Sequence, residues 1–243
     1  MAWPMDKRVG LYLLVASAVA RPEIARADAL ELPARAEAQA APASLYANLT
    51  SEEAIAELLR RKIPFEAAEA PGVRDPIRLS GPLHGVVIHS SLPAGQRKAT
   101  PFEILDARLA LALDDFAAIL RNHDVTELVH FTIYRPSDDA HEGSATVQTR
   151  HPGGMAIDVG ALRKRGGALL TIQAHWPPAI GERTCGPGAR RLPSRRGREL
   201  MSILCEAKDL RLFHAMLTPH FNRAHHDHLH LEIKPETAWF LVH

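Results

Sequence analysis

Six of the fourteen histidines of this chain lie between His214 and His230, and imidazole is the commonest metal ligand among side chains. Leu229, Leu231 and Ile233 alternate there with His228, His230 and Glu232. Read as a strand, that alternation puts the apolar residues on one face and both imidazoles on the other, about 7 Å apart along the chain. A second segment, Thr149-Arg-His-Pro-Gly-Gly-Met-Ala-Ile-Asp158, separates His151 from Asp158 by a Pro-Gly-Gly turn. Such a turn lets the chain fold back into the strand that bears the carboxylate. His151, Asp158 and one histidine of the His228-Leu-His230 pair supply two imidazoles and a carboxylate, a set that leaves a zinc ion an open position for water. Two histidines and one carboxylate also make the facial triad of mononuclear iron oxygenases. That reading is disfavoured by the few strand signals and the two good helices, since those triads usually sit in jelly rolls. A merely solvated histidine-rich loop is the plainer alternative, and the strand patterning of both segments argues against it.

The elements that must position these residues follow from periodicity. Thr50-Ser-Glu-Glu53 has capping-box spacing, with Ile55, Leu58 and Leu59 following, and predicts a short helix that ends before Pro64. Gly85 to His89 reads as a strand; Leu105, Leu109, Leu113, Phe116 and Leu120 recur at helical spacing and predict a core-facing helix over 104–122. Leu128 to Tyr134 has the content of a buried strand and ends at Arg135-Pro136 in a polar loop reaching Arg150. Met155, Ile157 and Val159 then alternate with Ala156 and Asp158, which aims Asp158 away from the apolar layer. A strand over Leu169 to Gln173, an arginine-rich connection from Gly181 to Arg198 and a helix over Arg198 to Ala207 complete the chain before the histidines. The connection reads as a solvated surface or as a contact for an anionic polymer. The expected fold class is α+β: a small, mainly antiparallel sheet with flanking helices. It carries His151, Asp158, His228 and His230 on one face and packs the 104–122 helix on the other. The loops Ser137 to Arg150 and Gly181 to Arg198 would wall the cleft.

The whole chain of 243 residues is 46% hydrophobic, and its 29 Lys plus Arg nearly cancel its 28 Asp plus Glu. No global field favours nucleic acid or an anionic membrane, so no nucleic-acid partner is expected. Lys7 and Arg8 precede an apolar run from Val9 to Ala20, too short to span a bilayer comfortably, which reads as a signal peptide cleaved after Ala20 or Ala27. The expectation is an exported protein, periplasmic or secreted, with no stable membrane anchor after cleavage. Residues 1–27 form the leader, 28–44 a flexible lead-in and 45–243 one domain. In an oxidising compartment Cys185 and Cys205 can bridge, or each can remain a separate buried thiol.

These residues resemble a family. Thr149, His151, Gly154, Ala156 and Asp158, followed by His228-Leu-His230, look like the lysostaphin, D-Ala-D-Ala metallopeptidase and hedgehog-type superfamily of zinc peptidases. Within it, Tyr134-Arg135-Pro136 resembles an element of D-Ala-D-Ala carboxypeptidases. Bacterial extensin-like C-terminal domains are the closer likeness. It is carried by Met155-Ala-Ile-Asp-Val159, Trp176, the two cysteines and the segment Leu217-Thr-Pro-His-Phe-Asn-Arg-Ala-His-His-Asp-His-Leu-His-Leu231. The resemblance implies a hedgehog or D-Ala-D-Ala-peptidase-like fold, Zn2+ bound by His151, Asp158 and His230, His228 as the catalytic histidine, and Arg135 facing the substrate. His225 and Asp227 would orient the ligands as outer partners. Asp227 stands where carboxypeptidases of the superfamily generally carry Glu, so their specificity does not transfer, and Thr149 replaces the commoner Ser. The expected activity is zinc-dependent hydrolysis of peptidoglycan peptides, of endopeptidase or carboxypeptidase type. The competing class is a zinc-containing cell-wall binding module without significant turnover.

Overall fold

The computed structural model describes residues 30–136 and 147–243. The expected leader, and residues 137–146 of the loop expected to wall the cleft, lie outside the described residues. Among the described residues there are eleven strands: β1 (Leu30–Glu31), β2 (Phe65–Ala67), β3 (Pro76–Leu79), β4 (Val87–Ser90), β5 (Leu105–Asp106), β6 (Val125–His130), β7 (Ala156–Lys164), β8 (Leu169–Thr171), β9 (Ala215–Leu217), β10 (Leu229–Glu232) and β11 (Phe240–Val242). The main sheet has eight strands, in the order β1-β11-β9-β10-β7-β6-β4 with β8 added on β7, and β2-β3-β5 form a small second sheet. The pairs β4/β6 and β9/β11 are parallel, the others antiparallel. The sheet is therefore large and mixed, a correction to the expected small, mainly antiparallel one, and the chain is a mixed α/β protein with several helices.

The helix expected over 104–122 spans Ala107–Asn122, because Asp106 caps it by accepting the Arg108 amide at 3.0 Å and Leu105 belongs to β5. The Arg108 guanidinium, fully buried, forks onto the same carboxylate at 2.7 and 2.8 Å. Leu109, Leu113, Phe116 and Leu120 join one core with Leu128 of β6, Ile157 of β7 and Leu231 of β10. The predicted capping box of the helix Ser51–Arg61 is present, Thr50 and Glu53 each bonding the other's backbone. The last long helix is Arg195–Asp209, started by Ser194, whose hydroxyl accepts the Gly197 amide.

Residues 30–44 depart from a flexible lead-in. β1 pairs with β11, and the helices Arg35–Ala40 and Pro42–Ala47 bury Ala38, Ala43 and Ser44. Cys185 and Cys205 form a disulfide with their Cα atoms 5.6 Å apart, fastening the connection after β8 to the helix Arg195–Asp209. Among the described residues no helix is long and apolar enough to cross a membrane.

Candidate metal centre

β7 and β10 lie side by side near the middle of the sheet, and their register sets Asp158 opposite His230. Alternation works as expected on β10: Leu229 and Leu231 enter the core, while His230 and Glu232 share the other face. His151 arrives from a turn. The amides of Gly153 and Gly154 donate to the carbonyls of Thr149 and His151, and the Met155 amide closes the turn onto Arg150. Gly154 has φ +63°, and a Cβ on it would lie 2.8 Å from the Asp106 amide nitrogen, so the turn seats directly against the cap of the long helix. Beyond a register shift at Val129/His130, the chain after β6 stays on β7, with the Phe131 amide donating to the Asp158 carbonyl at 2.8 Å.

Three donor atoms meet there. His151 Nε2 is 3.1 Å from Asp158 Oδ1, His230 Nδ1 is 3.0 Å from the same oxygen, and the two nitrogens are 3.2 Å apart. All three residues are buried, and they are the one group of metal-ligating side chains that converges in this way among the described residues. Bonds of about 2.0–2.1 Å in a tetrahedral zinc site put neighbouring ligand atoms roughly 3.3 Å apart. The triangle found here is close to that spacing. The outer ring nitrogens are committed elsewhere: His151 Nδ1 to the Ile133 carbonyl at 2.8 Å and His230 Nε2 to Glu232 Oε2 at 3.2 Å. A proton on each of those outer nitrogens would leave both lone pairs pointing inward, the tautomers a bound cation requires. The residues present fit a divalent ion.

Burial pushes the Asp158 carboxyl upward, but hydrogen bonds from His151 and His230 outweigh it and hold it far below the usual carboxylate range. For Glu232 burial likewise raises the carboxyl, and the bond to His230 with the charge of Arg150 brings it below normal. The centre opens on a cleft of about 750 Å³ that Arg135, Arg150, His225 and His228 also line.

The other expected residues are gathered around it. His228 Nε2 lies 3.6 Å from Asp158 Oδ1, and its Nδ1 is held by Asp227 Oδ1 at 2.8 Å. Asp227 thus meets His228 and not one of the three convergent donors. His225 bonds Asn222 Oδ1 at 2.8 Å and packs its ring 5.1 Å from that of His228 and 6.0 Å from that of His230. Burial, and then the neighbouring imidazoles, push its pKa down to about 4. Arg135 is exposed at the cleft, its amide donating to the His151 carbonyl at 3.3 Å.

Sequence reasoning missed two participants. In the sequence pattern Glu232 shares the face of His230 without a role, and the structure makes it the buried acceptor of that ring. Arg150, exposed but with its Nε 3.2 Å from Glu232 Oε2, extends the chain of contacts to the cleft. Its only sequence signal was its place beside His151.

A comparison with curated proteins returns no match, and neither does one with solved structures. The family described as extensin-like protein C-terminus matches residues 50–241, a span that includes every donor and cleft residue named above. The chain belongs to the extensin-like protein C-terminus family.

Proposed function

We propose that this protein is an exported zinc-dependent amide hydrolase acting on peptidoglycan peptides, and that its fold is of the hedgehog and D-Ala-D-Ala-peptidase kind. The observation that carries the proposal is the triangle of His151 Nε2, Asp158 Oδ1 and His230 Nδ1, with sides of 3.0 to 3.2 Å and the outer ring nitrogen of each imidazole engaged by an oxygen. A zinc ion held there supplies Lewis acidity, bringing the pKa of coordinated water from 15.7 toward about 7 and polarising a carbonyl.

This chain's own residues then divide the remaining work. Asp227 fixes the His228 tautomer with Nδ1 protonated, which leaves Nε2 as a base facing the centre, able to take a proton from the attacking water and pass it to the leaving amine. Arg135, exposed in the cleft, presents a fork of donors to a developing oxyanion or to a substrate carboxylate. The Cys185–Cys205 disulfide supports an oxidising compartment, in keeping with the leader-like residues 1–27. The likeness of Thr149 to Asp158 and of His228 to His230 to the zinc peptidases supports the reaction class.

The test is elemental analysis of purified protein beside D158A and H228A, followed by digestion of muropeptides. The wild type should hold about one zinc, D158A none, and H228A should keep its zinc while losing hydrolysis. Equal hydrolysis by H228A would remove the base from His228. Zinc without turnover in the wild type would make the protein a binding module.

A further inference from the structure

Residues 183–198 carry six arginines and no acidic residue, while the rest of the chain carries more acids than bases. We propose that this segment is a docking surface for a linear polyanion, a polymer with phosphate or carboxylate groups along a flexible, non-aromatic backbone. The proposal does not depend on the metal centre.

The segment is fastened at several points. Thr184 and Leu192 are completely buried, and the Arg190 amide donates to the Arg183 carbonyl at 3.0 Å, closing the loop on itself. The disulfide ties Cys185 to the helix Arg195–Asp209, whose first turn continues the arginine run. Arg198 folds back onto the carbonyls of Leu192 and Pro193 at 3.2 and 2.7 Å. The guanidiniums of Arg190, Arg191, Arg195 and Arg196 are left on the outside of this scaffold.

Their charge is barely neutralised. Arg190 reaches Glu182 only at 3.9 Å, with both side chains about half exposed, and such a pair contributes little. Among the described residues Arg196 meets only His175, at 3.5 Å, and Arg191 and Arg195 make no ion pair. The first turn of the helix also contains no acid, so its positive dipole end adds to the field instead of being compensated. Like charges gathered on one short segment are stabilised by an anion that contacts several of them, and the guanidinium fork suits phosphate and carboxylate alike.

The same residues disfavour two other partners. No aromatic residue lies in 183–198, so bases have no stacking platform. Leu192, its one large apolar residue, is buried and leaves nothing to insert into a bilayer interface.

The experiment measures binding of the purified protein to fluorescent inorganic polyphosphate and to polyglutamate over a range of salt, with phosphatidylglycerol vesicles and duplex DNA as comparisons. Binding to one or both polymers is expected, and which of them binds identifies the anionic group. R190Q/R191Q/R195Q/R196Q should weaken it about tenfold or more and flatten the salt slope by about 3, as neutralised charges do on other polyanions. R60Q/R121Q, two exposed arginines elsewhere, should change neither. Unchanged unfolding and absence of free thiol confirm the fold; if the fourfold variant does not fold, R191Q/R195Q carries the same test, since those side chains have no ion-pair partner among the described residues. Undiminished binding by the variants, equal loss in R60Q/R121Q, or tighter binding to vesicles or DNA than to either polymer would overturn the proposal.

Discussion

His151 Nε2 and His230 Nδ1 face each other across 3.2 Å, each with its opposite nitrogen bound to an oxygen. Both also lie at 3.0 to 3.1 Å from Asp158 Oδ1, so that a cation can replace the protons that otherwise link the three atoms. Zinc should therefore raise the thermal midpoint in a concentration-dependent way, as any ligand of the native state does. Asp158→Asn should abolish most of the gain and a chelator should reverse it. A midpoint indifferent to zinc in the wild type would show that the three donors form only an internal hydrogen-bonded cluster.

Glu232 is the buried acceptor behind His230, and partners of this kind set ligand orientation and basicity. Glu232→Gln keeps a carbonyl oxygen but loses the charge, and should weaken zinc by about 10- to 100-fold in competition with a chromogenic chelator. Unchanged affinity would mean that the Glu232 contact only fills space between the sheet and Arg150.

Gly154→Ala should cost about 1–3 kcal/mol in urea unfolding, because the residue holds φ +63° and its new Cβ would press on the Asp106 amide. The turn carries His151, so zinc affinity should fall as well. A destabilised variant with intact affinity would show that the turn does not position the ligand.

His214 is fully buried and stacked on Phe240, its Nδ1 accepting the Lys234 amide at 3.0 Å while Nε2 lies 3.1 Å from the Ser44 hydroxyl. Burial lowers its pKa from 6.5 to about 4, and does the same for His220. Both rings are neutral in the native state, so between pH 6.5 and 4 the unfolded chain binds more protons. Their stabilisation is complete above pH 6.5 and is lost as pH falls toward 4, at up to about 1.4 kcal/mol per pH unit for each ring. Urea midpoints between pH 7 and 5 should show this decline, and His214→Gln should reduce it. A flat wild-type profile would contradict the buried neutral rings.

The donors were legible in the sequence because each sits in a local pattern: a Pro-Gly-Gly turn beside His151, and period-two alternation around Asp158 and His230. The breadth of the sheet was not, since β1, β9 and β11 are two or three residues long, too short for alternation to register. The parallel pairing of β4 with β6 depends on the intervening helix Ala107–Asn122 crossing over, which is a matter of topology. The N-terminal helices escaped notice because they bury alanines, whose small side chains give weak periodicity. Glu232 was visible as a neighbour of His230, but its part depends on burial and on the reach of Arg150 across from the turn.

Asp158 and His230 touch although they are 72 residues apart in sequence. The centre therefore cannot assemble locally; it must wait for a long excursion to close, and such closures slow folding. Cys185 and Cys205 both fall inside that excursion, 20 residues apart, so their bridge cuts a stretch out of the path between β7 and β10. An oxidised chain has less slack to take up before its two central strands meet. The disulfide thereby acts on the speed at which a newly made chain brings its three donor atoms together, although neither sulfur is among them.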